Sequence, residues 1–354
     1  MKKAMLYEHL PGGRVKCDLC AHRCVIFPGR AGICRVRENI GGDLFTHAYG
    51  RVVAHDVDPI EKKPLNHFYP GSTAYSIATV GCNFHCRFCQ NWAVSQVLSP
   101  EQFLMGDDLS PEEIVDAAMM HECRTIAYTY TEPTIFMEYA LDTAEIAHRR
   151  GLRNVFVTNG YETPEAAEAL RPYIDAANID LKSFRDSYYR KVVGARLQPV
   201  LDTIRLMKML GIWIEVTTLV VPGRNDSDEE LRDIARFLAN EVGRETPWHL
   251  SRFFPAYRMT DVPPTDISLL ERARDIGLAE GLHFVYIGNV GDTRWESTYC
   301  PGCGALLIER KRMSVLANRT VDGACPGCGR EVPGVGLDWL QTEPTQTQRT
   351  RSVL

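Results

Sequence analysis

Three cysteines in the stretch GCNFHCRFCQNW have side chains and a spacing that suit the binding of iron. Cys82, Cys86 and Cys89 lie at C-x3-C-x2-C spacing, so one short loop can place their thiolates round a cluster. A [4Fe-4S] cluster normally takes one thiolate for each of its four irons, and three cysteines therefore leave one iron open. An open coordination position is typical of a reactive metal site, whereas structural sites are closed. The alternative is a structural zinc site completed by a more distant ligand, for example His85 or His67.

Alternating strand and helix patterns surround this loop and must position it. Short β-branched runs predict strands at residues 74–80, 125–130, 154–158, 178–181, 213–221, 249–254 and 283–288. Amphipathic segments lie between them, and Ser110-Pro111 and Thr163-Pro164 are typical of helix N-termini. Such alternation predicts parallel strands joined by right-handed crossovers. With six or seven units, we expect an α/β fold, a partial (β/α)6-type TIM barrel, with function at the carboxyl ends of its strands.

The composition limits the classes of protein to which the chain can belong. Its formal net charge of -5 gives no general attraction to nucleic acid or anionic membranes, so neither is an expected partner. No apolar stretch approaches the roughly 20 residues that a membrane-spanning helix needs, and the N-terminus lacks a signal-peptide core. Twelve cysteines, most of them in groups and without an export signal, indicate metal ligands in a reducing compartment. We therefore expect a soluble cytoplasmic protein.

The last four cysteines form two C-P-G-C knuckles, each followed by glycine. They are Cys300, Cys303, Cys325 and Cys328. Four thiolates from two knuckles make a tetrahedral sulfur site, which predicts a zinc ribbon, with rubredoxin-like iron as the chemical alternative. A module this small cannot bury enough apolar surface alone, whereas bound zinc contributes about 10 to 16 kcal/mol.

The first four cysteines have a different spacing, C-x2-C-x3-C-x9-C. They are Cys17, Cys20, Cys24 and Cys34. This set closes either a zinc site or a second iron–sulfur cluster, and the sequence cannot choose because both take the same ligands. We favour zinc, while a second cluster would indicate an electron relay.

These groups divide the chain into four predicted regions. Residues 1–70 form an N-terminal cysteine-rich segment with a polar connector, DPIEKKPLNHFYPGS. Residues 71–292 form the α/β core, and residues 293–336 form the zinc-ribbon or rubredoxin-like module. Residues 337–354 form a polar tail, since its composition offers little apolar surface to bury.

The loop GCNFHCRFCQNW resembles the signature of the radical S-adenosylmethionine (radical SAM) superfamily. Further segments follow in the order of the radical SAM member of the AmmeMemoRadiSam system, which is related to pyruvate formate-lyase activating enzymes. They are HLPGGRVKCDLCAHRCVIFPGRAGICRVREN, DPIEKKPLNHFYPGS, YTEPTIFMEYALD, FVTNGY, IDLKSF and VVPGRND. The resemblance covers residues from about 7 to the mid-290s.

The resemblance implies a reaction and its partners. The amino and carboxylate groups of S-adenosylmethionine (SAM) chelate the open iron, and one electron from the cluster breaks a carbon–sulfur bond of the sulfonium. The 5′-deoxyadenosyl radical that results abstracts hydrogen from a substrate. An electron donor such as flavodoxin or ferredoxin is implied, as are Memo-like and Amme-like partner proteins. The substrate stays open between a glycine of a partner protein, a small molecule and RNA.

The resemblance also implies residues beside the cofactor at the ends of the second, third and fourth predicted strands. They are Glu132, Thr158, Asn159, Asp180 and Lys182. The activating enzymes have a Gly-Gly-Glu segment at the first of these places, of which this chain keeps only the glutamate. Structural alternatives are a helix-entry turn at the glutamate and an exposed ion pair at the aspartate and lysine.

One departure from the activating enzymes concerns the SAM carboxylate. Those enzymes place an arginine five positions before the proline of VVPGRND, where this chain has Thr217. Arg252 on the sixth predicted strand is a candidate replacement, and otherwise carboxylate recognition differs.

We therefore predict a radical SAM oxidoreductase, similar to activating enzymes, that forms a 5′-deoxyadenosyl radical. The competing prediction is a non-catalytic metal-ribbon protein that binds nucleic acid or a partner protein. The second would bind nucleic acid in a salt-sensitive way and would lack the colour of an iron–sulfur protein.

Overall fold

An eight-stranded sheet forms the centre of the computed structural model, which describes residues 1–97 and 99–339. Seven strands are parallel: Thr73–Ala78, Thr125–Tyr128, Arg153–Thr158, Ala176–Asp180, Trp213–Val220, Trp248–Arg252 and Val285–Gly288. We number these parallel strands first to seventh in chain order. Sequence neighbours are also neighbours in the sheet. All seven predicted strands are present, and the α/β prediction is confirmed.

The eighth strand, Ala54–Pro59, pairs antiparallel with the first parallel strand at one edge of the sheet. The sequence analysis missed it because half of its residues, AHDVDP, are histidine or aspartate and it runs into the polar connector. Within the described residues no ladder joins this edge to the seventh strand, so the sheet is open. Closure to a curved partial barrel stays a prediction.

Helices follow the parallel strands in the order that the sequence predicts. Those of seven or more residues in the described part are Pro111–Met120, Met137–Arg149, Pro164–Leu170, Leu197–Met209, Asp228–Phe237 and Ile267–Ala279. Short helical segments are Pro11–Gly13, Ile60–Lys62, Trp92–Ser95, Pro100–Leu104, Pro133–Phe136, Asp186–Tyr188, Tyr189–Val193, Leu238–Gly243 and Thr293–Glu296. No helix in the described ranges has the length and apolar character needed to cross a bilayer.

The predicted helix starts have the expected capping contacts. Ser110 Oγ accepts a hydrogen bond from Glu113 N, and Ser110 N donates to the Glu113 carboxylate at 2.7 Å. Thr163 Oγ1 accepts in the same way from Ala166 N at 3.2 Å. Each contact satisfies backbone N–H groups that a first turn leaves without helical partners, and it therefore fixes where the chain leaves the preceding loop.

Small antiparallel sheets lie before and after the core in the sequence. The N-terminal ones join Lys2–Lys3, Arg37–Ile40 and Asp43–Thr46; Tyr7–Leu10, Arg14–Cys17 and Val25–Ile26; and Arg51–Val52 with Asp107–Asp108. The C-terminal one joins Thr298–Tyr299, Leu306–Lys311 and Ser314–Asn318. The strands are short, so these regions depend on packing against the core and on their cysteines.

The C-terminal module packs back onto the connector that precedes the core. Tyr69 N donates to Val335 O, and Val335 N donates to His67 O, both at 2.8 Å. The start of the predicted polar tail also packs here: Leu337 is buried, and Trp339 Nε1 donates to Pro70 O. The rest of that tail lies outside the described residues, and the four predicted boundaries stay predictions.

Candidate active site

The three-cysteine loop lies at the carboxyl end of the first parallel strand, where the α/β pattern predicts a site. Its backbone is held by neighbouring segments: Gly81 N donates to Val94 O at 2.9 Å, and His85 N donates to Val193 O at 2.8 Å. Arg87 N also donates to Val192 O. The loop is thus fixed in shape by contacts with the chain that follows the fourth strand.

The sulfur atoms of this loop receive hydrogen bonds from the protein. Cys82 Sγ accepts from Phe84 N at 3.3 Å and from Asn159 Nδ2 at 3.4 Å. Cys89 Sγ lies 3.2 Å from Ser95 Oγ. Burial raises the pKa of the Cys86 thiol to about 12. In the buried loop a thiolate therefore needs a bound cation to offset desolvation, and donors to sulfur are a recognised way to tune a bound cluster.

The spacing of these sulfurs fits a cluster better than a single ion. In the described part, the C-terminal cysteines are the one group of three or more potential ligands whose ligand atoms all lie within 4.8 Å of one another. The three cysteines of the central loop do not form such a group. The histidines proposed for a zinc alternative are engaged elsewhere. His85 Nδ1 bonds Gln96 Oε1 at 2.8 Å, and the two ring nitrogens of His67 contact Pro333 O and Tyr286 Oη. The donor set therefore fits an iron–sulfur cluster.

Asn159 and Thr158, predicted at the cofactor, lie beside the loop at the end of the third strand. The Asn159 amide donates to Cys82 Sγ and to Asn83 Oδ1 at 3.0 Å. The next residue, Gly160, has φ of 67°, and a Cβ there would lie 2.6 Å from Ile179 Cγ2. Only glycine fits this close approach, which keeps Asn159 against the cysteine loop.

Glu132 is buried with Glu162, a residue that the sequence analysis missed. Glu132 Oε2 accepts from Asn159 N at 2.8 Å, and the Thr134 and Thr158 hydroxyls each lie within hydrogen-bond distance of both carboxyl groups. Two hydroxyl protons can fill only two of these four contacts, and a protonated carboxyl group would fill a third. Burial, then the charge of Glu162, raises the pKa of Glu132 to about 7. The Glu132 side chain thus joins two strand ends, and its predicted contact with cofactor stays a prediction.

Tyr130, at the place of the activating enzymes' glycines, has a strained backbone. Its φ is 60°, a left-handed conformation that costs about 1 kcal/mol for a non-glycine residue. Asn91, which follows the cysteine loop, donates from Nδ2 to Tyr130 O at 2.6 Å. The Tyr130 hydroxyl bonds the buried carboxylate of Asp58. These contacts stabilise the turn that enters the short helix Pro133–Phe136. The helix-entry alternative for Glu132 is therefore confirmed, since Glu132 is the N-cap residue and its carboxylate accepts from Thr134 N at 3.0 Å.

Asp180 and Lys182 are brought together as predicted, at the end of the fourth strand. Lys182 Nζ donates to Asp180 Oδ2 at 2.9 Å. Burial opposes the lysine charge, but Asp180 and Cys86 favour it, and the net effect raises the pKa of Lys182. Lys182 is buried, so the alternative of a solvent-exposed ion pair is wrong for the lysine. The ammonium lies where it can act on the charge of the central loop.

A cavity of about 760 Å³ opens at the carboxyl ends of the fifth to seventh strands. Gln90 and Asn91 of the cysteine loop line it, and so does Thr217. Arg252, the candidate for a missing arginine, donates instead from Nε to Thr265 O at 2.7 Å. Among the cavity-lining residues, Lys62, Arg310 and Arg312 bring positive charge. The cavity is large enough for a cofactor or a substrate of drug size.

A buried histidine–glutamate pair borders this cavity and was missed. His249 lines the cavity, and its Nε2 lies 2.7 Å from Glu215 Oε2 on the neighbouring strand. Burial alone would raise the pKa of Glu215, but the hydrogen bond from His249 and its charge lower the pKa overall. The available signal was a charged residue inside the apolar run WIEVTTLV, since such residues are seldom buried without a partner.

The C-terminal cysteines have the geometry of a single-ion site. Cys300 Sγ lies 3.6 Å from Cys328 Sγ, and Cys303 Sγ lies 3.6 Å from Cys325 Sγ. Four sulfurs bound at about 2.3 Å round one tetrahedral ion would lie about 3.8 Å apart. Gly302 N donates to Cys300 Sγ, as expected of a knuckle. These four cysteines can therefore hold one metal ion.

Arg310 ties this module to the connector. The basic run ERKRM predicts a solvated hairpin face, yet Arg310 is buried, with its Nε 3.3 Å from Glu61 Oε1. Its Nη1 donates to Thr298 Oγ1 at 2.8 Å, and its Nη2 donates to Asn66 O. The arginine is buried because the connector supplies a carboxylate and a carbonyl at its tip.

Comparisons with known proteins agree with this site. The radical SAM superfamily matches residues 76–238. An uncharacterized protein of Methanocaldococcus jannaschii, MJ0808, is 48% identical over 334 residues, 94% of this chain and 99% of that protein. A putative glycyl-radical enzyme activating enzyme of the same organism, MJ1632, is 22% identical over 62% of this chain and 80% of its own. A pyruvate formate-lyase-activating enzyme of Clostridium pasteurianum is 21% identical over 45% of this chain and 67% of its own. The chain therefore belongs to the radical SAM superfamily, and its relatives include activating enzymes.

Proposed function

We propose that this protein cleaves SAM reductively at a [4Fe-4S] cluster held by Cys82, Cys86 and Cys89. The observation that carries the proposal is the three-thiol loop, whose sulfurs are not gathered as closely as those of the C-terminal group and receive protein hydrogen bonds. The family supports SAM cleavage and radical generation. A cluster held by these three cysteines would supply one electron to the SAM sulfonium, which is the chemistry that yields a 5′-deoxyadenosyl radical for hydrogen abstraction from a substrate.

The residues of this chain position the reacting groups. Phe84 N and the Asn159 amide stabilise negative charge on the Cys82 sulfur, because both donate to it. Lys182 adds a buried positive charge near Cys86, which Asp180 holds in place. A cluster with a neighbouring cation is easier to reduce than one without, so this pair tunes the electron step.

SAM and substrate occupy the large cavity in this proposal. Gln90 and Asn91 belong to both the cysteine loop and the cavity wall, so a ligand there can reach the cluster. Lys62 and Arg312 are the cations of the wall that can meet the SAM carboxylate, in place of the arginine that Thr217 replaces. The His249–Glu215 pair borders the same cavity and can hold a substrate proton.

For the substrate, we propose hydrogen abstraction from a glycine of a partner protein. Relatives named as activating enzymes support this class. Membership of the AmmeMemoRadiSam system, with Memo-like and Amme-like partners and a flavodoxin or ferredoxin donor, belongs to the same proposal. Zinc is the proposed ion of the C-terminal cysteines, because the 3.6 Å sulfur pairs match one tetrahedral ion.

The test is 5′-deoxyadenosine formation from SAM under anaerobic, reducing conditions, measured by mass spectrometry. Cys86→Ala is expected to reduce the yield to the level without enzyme. Cys123→Ala is the matched control, since Cys123 is equally buried but lies outside the three cysteine groups, and it should keep the wild-type yield. Equal yields from the Cys86 variant and wild type would contradict the proposal. Absence of product from wild type, with salt-sensitive nucleic-acid binding, would favour the non-catalytic alternative.

A further inference from the structure

The N-terminal cysteines line one closed pocket whose other walls are mainly apolar. The thiols are those of Cys17, Cys20, Cys24 and Cys34, and the apolar walls come from Leu19, Ile26, Ile33 and Ile135. Such a pocket, whose polar groups are the four thiols with His22 and Arg37, suits a sulfur-ligated metal group.

The four sulfurs at this pocket are more widely spaced than those of the C-terminal group. Four sulfurs round a single ion would lie about 3.8 Å apart, as the C-terminal cysteines nearly do. The N-terminal cysteines do not form a group of ligand atoms within 4.8 Å of one another, although all four lie in the described part. In a cluster each thiolate binds its own iron or shares one iron with a single other thiolate, so the set can spread farther.

The N-terminal group lies directly against the central loop. His22, between Cys20 and Cys24, has its Nε2 2.8 Å from Asn83 O, beside Cys82. A Cβ on Gly81 would lie 3.2 Å from Cys34 O, so the two backbones touch.

A cavity of about 190 Å³ also joins the two cysteine groups. Cys34 and Cys82 both line it. The N-terminal pocket thus has a short, fully intramolecular route to the site of SAM cleavage.

Backbone hydrogen bonds between the N-terminal group and the loop after the third strand also hold this arrangement. Ala21 N donates to Tyr161 O at 2.8 Å, and Thr163 N donates to Leu19 O at 3.3 Å. The paired segment, 161–163, follows Asn159, which contacts Cys82. The same loop therefore holds both cysteine groups, and their separation is set by ordered backbone.

We propose that Cys17, Cys20, Cys24 and Cys34 hold an iron–sulfur cluster that relays electrons to the central loop. A one-electron donor protein such as reduced ferredoxin loses one electron to this cluster, which returns to its oxidised form when it passes that electron to the central cluster. The relay rests on the proposed function, whereas the metal assignment does not. This proposal replaces the preference for zinc that the sequence gives.

Metal and sulfide analysis of the full-length protein, prepared without oxygen, tests the assignment. Wild type is expected to contain about six to eight irons with equal sulfide, and about one zinc. A triple variant of the central loop, with Cys82→Ala, Cys86→Ala and Cys89→Ala, should keep about two to four irons with equal sulfide. About four irons and two zincs in wild type, or an iron-free triple variant that is still folded by circular dichroism, would overturn the inference.

The same counts separate this inference from the proposed function. If the triple variant keeps all the wild-type iron, the central loop holds none, so the proposed function fails while the N-terminal cluster stands. Electron paramagnetic resonance tests the relay: reduced wild type should show broadening from coupling between two nearby spins, and the triple variant should show a sharp signal. An unbroadened wild-type signal with full iron content would overturn the relay.

Discussion

Two groups of four cysteines in this protein offer the same ligand atoms but arrange them differently. The C-terminal group brings its sulfurs to 3.6 Å in pairs, and two of its cysteines, Cys303 and Cys328, are exposed. The N-terminal group spreads its sulfurs round a closed pocket and touches the central loop at Gly81. The first arrangement suits a structural ion at the surface, and the second suits the electron relay that we propose.

The difference shows that ligand count alone does not identify a metal site. Both groups supply four thiolates, and both contain a C-x2-C pair. Sulfur spacing and placement relative to the central loop are what separate them, and these depend on tertiary structure. Substitutions in either group, or in the residues that pack against it, should therefore affect the protein differently.

Removal of the C-terminal ion should have the largest effect on stability. Cys325→Ala is expected to release zinc and to cost a large part of the roughly 10 to 16 kcal/mol that such an ion contributes, because the module has little core of its own. Hydrogen exchange should then become fast across residues 298–318 and stay slow in the parallel sheet. Retained protection of the module, with zinc lost, would contradict the structural role.

The module is also held to the connector by a buried ion pair. Arg310→Met leaves the Glu61 carboxylate buried without its partner and should destabilise the protein by about 3 to 5 kcal/mol in chemical denaturation. Adding Glu61→Gln removes the stranded charge, so the double variant should recover most of the loss. A double variant as unstable as the single one would show that the pair is not coupled.

The N-terminal cysteine group lies over the buried carboxyl pair, so the stability of this region should depend on pH. In the folded state Glu132 keeps its proton up to a pH of about 7, whereas in the unfolded chain it loses that proton near pH 4.5. The folded state therefore binds more protons in this window, and the free energy of unfolding should fall by about 3 kcal/mol as the pH rises through it.

Comparison of wild type with Glu132→Gln checks this pH dependence. The variant should lack that part of the slope, since glutamine does not titrate. Denaturation curves at several pH values measure it, and parallel pH profiles for the two proteins would contradict the buried proton.

Two glycines next to cysteines give the smallest and best matched contrast. Gly81→Ala places a Cβ 2.6 Å from Val36 Cγ1 at φ of 98°, and we expect a loss of about 1 to 3 kcal/mol. Gly304→Ala, after Cys303, has φ of 74° but no atom within 4 Å, and should cost about 1 kcal/mol. Thermal unfolding measures both, and equal losses would argue against close packing of the N-terminal group on the central loop.

The local sequence pattern was enough to predict the parallel strands and the grouping of the cysteines, because strand periodicity and C-x2-C spacing are local features. The edge strand Ala54–Pro59 was missed because its charged residues are paired only in the folded protein: Asp58 bonds Lys63 at 2.6 Å. The buried state of Arg310 was missed for the same reason, since its partner Glu61 lies far away in sequence.

The candidate site shows the same limit. Asn159, Asp180 and Lys182 were predicted at strand ends from the family resemblance, and the structure places them beside the cysteine loop. The His249–Glu215 pair depends on the register of two neighbouring strands, which a sequence does not specify. Sulfur distances, which separate a single ion from a cluster, likewise follow only from how loops distant in sequence pack together.

The open iron that we propose for the central loop is tested most directly by electron–nuclear double resonance of the reduced enzyme, with SAM carrying ¹⁵N in its amino group. Chelation of that iron predicts a ¹⁵N coupling that appears when labelled SAM binds and is lost in Cys86→Ala. A spectrum that bound, labelled SAM leaves unchanged would mean that a protein ligand occupies the fourth iron, and it would contradict the proposed reaction.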